Sequence, residues 1–290
     1  MTTSEVREPI VAGQFYPASP DRIRSAVEAY TSRYAPPDDL GALLGGVVPH
    51  AGWVFSGPTA AKVFKALSEN AAPETVVLLG AVHRWGASQP AVYARGAWRT
   101  PLGEIAVDED LAKALMDAAG DCLVAAPEAH RDEHSIEVQV PFVQVLFPEA
   151  RILPIAVPPG ETAAALGQPL AVLSDRGKEI TLVASTDLTH YGMGYGAPEH
   201  GSFPEARDWM VQNDKRMLDL ITALKAEEIC SEAARNQNAC GPGGVAAVAA
   251  ASRELGARGG RLLEYTTSAD VLDEPHADRA VGYAGIVFER

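Results

Sequence analysis

The sequence predicts an α/β protein in which a central, mostly parallel or mixed β-sheet carries helices on both faces. Short apolar runs alternate along the chain with segments of helical periodicity, which is the pattern of a sheet covered on both sides. The 290 residues are 47% hydrophobic, enough to build a substantial core. No linker, internal repeat or low-complexity tract interrupts this pattern, so residues 1–290 are predicted to form one domain.

The predicted strands are short apolar runs bounded by turn residues, and the predicted helices are longer amphipathic or alanine-rich segments. Strands are expected at residues 43–48, 75–79, 151–157, 180–184, 262–266 and 280–288. Helices are expected at residues 20–30, 58–67, 109–119, 162–173, 203–224 and 242–255.

Several helix ends carry recognisable signals. Pro58 is predicted at the first helical position, where a missing N–H costs nothing. Asp108 precedes EDLAKALMDAAG and is predicted to cap the helix that Gly120 closes. In HSIEVQVPFVQVLFP, Ser135 is predicted to cap a helix that Pro141 kinks or restarts.

Charge and cysteine content narrow the classes of function. A formal net charge of −14 disfavours binding to nucleic acid or to an anionic membrane surface, so small molecules and proteins are the expected partners. The N-terminus lacks a signal-peptide pattern and no apolar run approaches a membrane span, which predicts a cytoplasmic protein. Three widely spaced cysteines argue against a disulfide framework and leave free thiols or a metal ligand: Cys122, Cys230 and Cys240.

Polar residues follow three of the predicted strands. His50 comes after GGVVP, His83 after TVVLLG, and Asp187 and His190 after ITLVAS. If these strands are parallel neighbours, the residues meet in the crevice at the carboxyl edge of the sheet. Cys240 precedes a glycine-rich turn that opens a helix, where the positive end of the helix dipole is expected to favour the thiolate.

Taken singly, each of these residues is a common packing residue, but together they form a ligand set. Two neutral imidazoles and one thiolate, from His50, His83 and Cys240, suit zinc, copper or iron(II) with open positions for water or substrate. His190, oriented by Asp187, is then the predicted general acid or base beside the metal.

A competing motif is HRDEH at residues 130–134, which fits the H-x-x-E-H pattern of inverted zinc peptidases. Its five consecutive polar residues indicate a loop before a helix and not the helix that such a site needs. His130 and its two neighbours are expected in a solvated loop, whereas Glu133 and His134 stand at the helix entry and are expected to point inward. Two further histidines lie in polar loop sequence and are expected at the surface: His200 and His276.

A second alternative is a cysteine hydrolase. Cys240 would be the nucleophile, His190 the base and Asp187 the group that orients the base. That arrangement leaves His50 and His83 without a role.

Five separated motifs give the chain a resemblance to a known family. AGQFYPAS, PHAGWVFSG, DEHSIEVQVPF, STDLTHYG and NACGPGG occur in the order of motifs of the Memo family, also called AmmeMemoRadiSam system protein B. The resemblance extends from Ala12 to the final predicted strand. The family is similar in fold to the class III extradiol ring-cleaving dioxygenases, which implies an α/β sheet with helices on both sides.

The resemblance also implies a metal site. His50, His83 and Cys240 match the positions proposed as metal ligands in Memo proteins, and a glutamate takes the place of the cysteine in the dioxygenases. His190 matches the acid-base histidine of the dioxygenases, with Asp187 and His134 close to it. The implied cofactor is iron(II), with copper and zinc as alternatives.

Two classes of function follow from the resemblance. One is a non-haem redox enzyme that handles dioxygen, on an aromatic diol or another small molecule. The other is a non-catalytic metal-binding or peptide-binding protein that works with other members of the AmmeMemoRadiSam system. Many family members read G-P-S-H-H where this chain reads GAVHR, so Arg84 replaces a second histidine beside His83.

Overall fold

The sheet and its helices are seen in a computed structural model that describes residues 6–84, 87–175, 179–192, 194–195, 205–274 and 277–290. The strands in these ranges are β1 (Val6–Arg7), β2 (Leu43–Val48), β3 (Thr75–Gly80), β4 (Ala91–Val92), β5 (Ala97–Thr100), β6 (Gly103–Ala106), β7 (Val124–Ala125), β8 (Arg151–Ala156), β9 (Ile180–Ser185), β10 (His190–Gly192), β11 (Gly259–Thr267) and β12 (Arg279–Glu289). The helices are α1 (Pro20–Thr31), α2 (Trp53–Asn70), α3 (Glu109–Ala119), α4 (Val140–Leu146), α5 (Glu161–Ala165), α6 (Gly167–Asp175), α7 (Glu205–Thr222), α8 (Ala226–Asn236), α9 (Pro242–Glu254) and α10 (Ser268–Leu272).

The main sheet is mixed, with a parallel centre. β2, β9, β3 and β8 pair side by side in parallel, because each is an apolar run whose residues are nearly all buried. Antiparallel β12 pairs with β2 and with β10 and β11, while β4 adds to β8 at the other side. β1, β5 and β6 form a separate small sheet.

Helices flank the main sheet in two groups. α2 packs on β2 and β12 and is backed by α1 and α4, whereas α9 packs on β9, β3 and β2 and is backed by α5, α6 and α8. The predicted α/β class, with a mixed sheet flanked by helices, is confirmed. That residues 1–290 form one domain stays a prediction.

The second helix starts earlier than predicted. It begins at Trp53, so Pro58 lies inside the helix and not at its first position. Tertiary packing favours the extra turn, because the Trp53 indole is buried and donates to the Val138 carbonyl at 3.0 Å. The carbonyl that loses its partner to proline belongs to Val54, which is 64% exposed, so water can satisfy it.

Other boundaries also differ from the predictions. The helix expected at 162–173 is two helices that meet at Gly167, where a side chain would overlap Ala250 of α9. The helix expected at 203–224 runs from Glu205 to Thr222 in the described part of the chain, and α8 follows it without having been predicted. The cap at Asp108 is confirmed, since its carboxylate accepts the Leu111 N–H at 2.9 Å.

Ser135 is not a helix cap, contrary to the prediction. Its hydroxyl accepts the Ala81 N–H at 3.0 Å, and a 3₁₀ turn over Glu137–Gln139 leads into α4. Pro141 lies in the first turn of α4, which agrees with a helix restarting there. Within the described ranges, none of the helices combines the length and apolar character needed to cross a bilayer.

Candidate metal centre

The carboxyl ends of three neighbouring parallel strands carry the predicted polar residues. β2 and β9 end in register, Val48 beside Ser185, and β3 runs on the other side of β9. The loops that follow these strands therefore begin at the same edge of the sheet, and they deliver His50, His83 and Asp187 to one crevice.

Cys240 reaches the same edge from the N-terminus of α9. A Cβ at Gly241 would overlap the Ser185 carbonyl oxygen, and a Cβ at Gly244 would lie 2.7 Å from the Leu79 carbonyl oxygen. Only glycine lets the helix start this close to the strand ends. The Cys240 Sγ consequently lies 3.1 Å from His50 Nε2.

The donor atoms of His50, His83 and Cys240 all lie within 4.8 Å of one another. This separation is compatible with three ligands around one ion, since metal–ligand bonds to nitrogen and sulfur are about 2.0 to 2.3 Å long. The structure thus brings together the three residues that the sequence marks as metal ligands.

Hydrogen bonds assign the tautomer of His50. Ser185 donates its hydroxyl hydrogen to the Ser135 carbonyl oxygen at 2.8 Å, an atom that can only accept. The Ser185 oxygen therefore receives hydrogen bonds from His50 Nδ1 at 3.0 Å and from Gln139 Nε2 at 3.1 Å. With the proton on Nδ1, the Nε2 lone pair of His50 faces Cys240 and is free to bind a metal.

The tautomer of His83 follows from a carboxylate. Glu133 accepts the His83 backbone N–H at 2.8 Å and lies 3.0 Å from His83 Nδ1. A carboxylate can only accept, so Nδ1 carries the proton and Nε2 is the free donor atom. A carboxylate behind a ligating histidine is a recurrent arrangement in metal sites, where it fixes the ring and raises its basicity.

Burial and neighbouring charges shift the pKa values of the cluster in opposite directions. Burial lowers the pKa of His50 well below its usual value, and the nearby His83 and His134 lower it further, so the ring is neutral. Burial also acts to lower the pKa of His83, but the hydrogen bond and charge of Glu133 outweigh it and the pKa is raised. Glu133 itself stays ionised, because its bonds to His83 overcome the effect of burial and lower its pKa.

Without a bound cation, the site favours the neutral thiol of Cys240 and not the expected thiolate. Burial, with the Asp187 charge as a second cause, raises the pKa of the Cys240 thiol above its usual value despite the helix N-terminus. A partly buried thiol beside two free imidazole lone pairs loses its proton more readily when a cation binds there, because the cation stabilises the thiolate. The donor set therefore fits a transition-metal ion that replaces the thiol proton.

Two more histidines border the cluster. The His134 ring lies 4.8 Å from the His83 ring and 5.5 Å from the His50 ring, measured between centroids. His190, the first residue of β10, lines the same crevice. Burial lowers the pKa of both rings, and for His190 the charge of Asp187 opposes this shift.

Asp187 is placed differently from the expected orienting partner of His190. Its carboxylate accepts the backbone N–H groups of His50 at 2.7 Å and of Ala51 at 3.3 Å. It thus holds the loop that carries the first ligand, and its influence on His190 is through charge.

The crevice in front of the cluster has a volume of about 640 Å³. Its walls combine the histidines with aromatic and aliphatic side chains: Phe15, Phe55, Tyr195, Leu272 and Tyr283. A cavity of this size is typical of sites for small organic molecules.

The peptidase interpretation of residues 130–134 is wrong. The stretch runs from the end of a 3₁₀ helix through a turn into irregular backbone, so His130 and His134 do not share a helical face. His130 is completely buried, contrary to the expected solvated loop, and lies 3.0 Å from the Ala91 carbonyl oxygen through Nε2. The remaining two histidines, His200 and His276, lie outside the described residues.

Sequence reasoning missed Ser185. It placed Glu133 next to the metal site, but it did not identify His83 as the histidine that Glu133 contacts. The available signal for Ser185 was a polar residue that closes an otherwise largely apolar strand, ITLVAS. For Glu133, the signal was its place directly before His134 in a polar stretch. Neither signal identifies the histidine that is contacted, because the partners are far apart in the sequence: His50 for Ser185 and His83 for Glu133.

The fold and the site define an α/β protein with a candidate His-His-Cys metal site at the carboxyl edge of a mixed sheet. The chain belongs to the Memo-like protein family, whose family profile matches residues 7–287.

Similar proteins agree with this assignment. The chain is 39% identical to a MEMO1 family protein of Methanopyrus kandleri, in an alignment that covers 98% of this chain and 99% of that protein. It is 40% identical, again over 98% of its length, to a MEMO1 family protein of Thermococcus kodakarensis, which is covered completely at 100%. A crystal structure of an uncharacterized Escherichia coli K12 protein gives a TM-score of 0.44 at 14% identity, over 76% of this chain and 90% of that one, a likeness too distant to carry an argument.

Proposed function

We propose that the protein is a non-haem metal-dependent oxidoreductase of the dioxygenase type. In this proposal His50, His83 and Cys240 hold iron(II), and a small aromatic diol or a related molecule binds in the crevice. The observation that carries the proposal is the pair of free Nε2 atoms beside a partly buried thiol, with both histidines lining a cavity of small-molecule size.

The metal would supply open coordination positions and redox chemistry. Two imidazoles and one thiolate suit iron(II), and they also suit copper and zinc, so the identity of the metal is part of the proposal. The protein's contribution is to hold the two rings in one tautomer. Ser185 does this for His50 and Glu133 does it for His83.

His190 is the proposed general base. Burial lowers the pKa of its ring, so the ring is neutral at pH 7 and can accept a proton from a substrate hydroxyl. The nearby Asp187 carboxylate stabilises the imidazolium that results, since opposite charges attract strongly in a buried site. His134 is the second neutral histidine on the crevice wall and is proposed to contact the same substrate.

The experiment is oxygen uptake by anaerobically reconstituted iron(II) protein supplied with catechols. We expect uptake by wild type, and we expect His190→Gln to retain iron while losing most of the uptake, about 100 to 10,000-fold for loss of a general base. Absence of uptake by iron- and copper-loaded wild type with every catechol tested would reject the dioxygenase proposal. Loss of iron from His190→Gln would instead assign that residue to the metal.

A binding protein is the second candidate. The outer end of the crevice carries exposed side chains of both charges and an exposed apolar one, which suits a peptide: Glu274, Asp278, Arg279 and Leu272. The partner would be a protein of the AmmeMemoRadiSam system, in the cytoplasm, where the free cysteines are compatible with a reducing compartment. Metal-independent capture of such a partner, without turnover, would favour this candidate over the oxidoreductase.

A further inference from the structure

We propose that Arg7 and Glu137 are positioning residues for the metal centre. Their hydrogen bonds within the described part of the chain go to other residues and not to the three proposed ligands. They clamp residues 130–139, here called the positioning segment, and this segment orients His83 and His50. The proposal rests on the metal-binding part of the proposed function and is independent of the reaction.

Arg7 is a buried guanidinium that clamps a turn. Its Nε donates to the His130 carbonyl at 2.8 Å, and its Nη2 donates to the Glu133 carbonyl at 2.7 Å. Its Nη1 donates to the Glu137 carboxylate at 2.7 Å, and its Cζ lies 4.2 Å from the centre of the Trp98 ring. Arg7 therefore bonds to three points of the positioning segment at once.

This clamp needs the planar fork of arginine. Nε and Nη2 lie on one edge of the guanidinium and point in parallel, which matches two carbonyls at the ends of a turn. A lysine ammonium has three donors on one atom and cannot span both carbonyls and the carboxylate. Arg7→Lys thus keeps the charge and most of the apolar stem but removes the geometry.

The clamped segment leads directly to the metal ligands. The backbone of Glu133 is held by Arg7, and the side chain of Glu133 holds His83 through its N–H and its ring. Two residues on, Ser135 accepts the Ala81 N–H through its hydroxyl and the Ser185 hydroxyl through its carbonyl. The orientation of His83 thus depends on the place of residues 133–135.

The same segment reaches His50 through Ser185. The Ser135 carbonyl takes the Ser185 hydrogen and so keeps it away from His50, which leaves Ser185 as an acceptor facing His50 Nδ1. Gln139, at the end of the segment, donates to Ser185 and to the Pro49 carbonyl at 2.8 Å. A shift of the segment would therefore disturb both imidazoles.

Glu137 fastens the N-terminal residues to the other side of the segment. Its carboxylate accepts the N–H groups of Ile10 and Val11, each at 3.0 Å, and the Tyr16 hydroxyl at 3.1 Å. These residues bracket Phe15, whose ring lies 4.8 Å from the His134 ring in the crevice wall. The Arg7–Glu137 pair thus joins the N-terminus, the segment and the crevice.

A buried cluster at the opposite edge of the sheet provides the matched control. Asp108 is fully buried and accepts from Thr75, the first residue of β3, at 2.6 Å, and it pairs with Arg151 at 3.1 Å. His83 follows the last residue of that same strand. Asp108→Asn should therefore lower stability as Arg7→Lys does, without touching the positioning segment.

The experiment compares wild type, Arg7→Lys and Asp108→Asn by thermal unfolding, by cobalt(II) affinity and visible spectrum, and by ¹⁵N NMR of the histidine rings in metal-free protein. We expect both variants to lose thermal stability. Only Arg7→Lys should bind cobalt(II) about 10 to 100-fold more weakly, with a changed spectrum, as removal of an orienting group typically does. In metal-free Arg7→Lys, at an alkaline pH where the ring is neutral, the ¹⁵N shifts of His83 should move from the Nδ1–H tautomer towards the average of both tautomers.

Unchanged affinity, spectrum and His83 shifts in Arg7→Lys would overturn the proposal and leave Arg7 a purely structural residue. If Arg7→Lys does not fold, Glu137→Gln serves instead, because the amide oxygen still accepts backbone N–H groups while the ion pair is lost. A smaller change in the same direction would support the proposal, and no change would overturn it. If wild type binds no cobalt(II), the proposed function fails, and the ring shifts alone decide the role of Arg7.

Discussion

The substitution His130→Gln is expected to remove one contribution to the loss of folding stability at acid pH. His130 is fully buried, and burial, followed by a smaller contribution from nearby Arg7, lowers the pKa of its ring from 6.5 to about 4. Its Nε2 lies beside the Ala91 carbonyl, and its Nδ1 has no partner among the described atoms, so a second proton would find no acceptor.

The sign and size of the effect follow from linkage. The unfolded chain takes up the proton near pH 6.5 and the folded chain only near pH 4, so stability is lost as the pH falls between these values. The shift of the pKa corresponds to a loss of about 3 kcal/mol by pH 4, at about 1.4 kcal/mol for each pKa unit. His130→Gln can retain a donor to Ala91 but cannot titrate.

The assay is urea unfolding of metal-free wild type and His130→Gln at intervals from pH 7.5 to pH 4. Other groups titrate in both proteins and cancel in the difference between them. We expect wild type to lose about 3 kcal/mol more than the variant over this range. A difference in unfolding free energy that does not change with pH would refute the reasoning.

Two further predictions concern the groups behind the ligands. Ser185→Ala removes the acceptor that fixes the His50 tautomer, so metal affinity should fall by about 10 to 100-fold in a competition titration with a chelator; an unchanged affinity would mean that the tautomer does not depend on this hydroxyl. Glu133→Gln places an amide against the His83 ring, so metal affinity should fall by a similar factor. No zinc-dependent peptidase activity that depends on Glu133 is expected. An unchanged metal affinity would show that Glu133 does not support the metal centre.

The central fold was predictable because it depends on local pattern. Four apolar runs of strand length become the buried parallel strands, and Asp108 caps its helix as its side chain dictates. The start of α2 was not predictable in the same way. It depends on the packing of Trp53 against Val138, a contact between residues distant in sequence, which overrides the usual position of Pro58.

The candidate ligands could also be predicted from the sequence, because the carboxyl ends of neighbouring parallel strands lie at the same edge of a sheet. His50 comes soon after Val48, the end of β2, and His83 soon after Gly80, the end of β3. The protonation state of Cys240 could not be predicted from the sequence. Its place at a helix N-terminus favours a thiolate, but burial and the Asp187 charge, which depend on the fold, favour the thiol. The predicted exposure of His130 was wrong for a related reason. The polar stretch around it predicted a solvated loop, whereas its backbone carbonyl accepts a hydrogen bond from the buried Arg7.

The most direct test of the metal centre is the affinity of five proteins for iron(II) and copper under anaerobic conditions. These are wild type, Cys240→Ser, Cys240→Asp and His50→Ala, with Cys230→Ser as a thiol control because Cys230 lies on α8 and not among the clustered ligands. If Cys240 is the third ligand, Cys240→Ser should sharply weaken binding, because an alkoxide is hard to form at neutral pH. Cys240→Asp should regain iron(II) in preference to copper, since it restores a two-histidine, one-carboxylate set. Unchanged affinity in Cys240→Ser, together with loss in His50→Ala, would contradict the account and remove the cysteine from the coordination sphere.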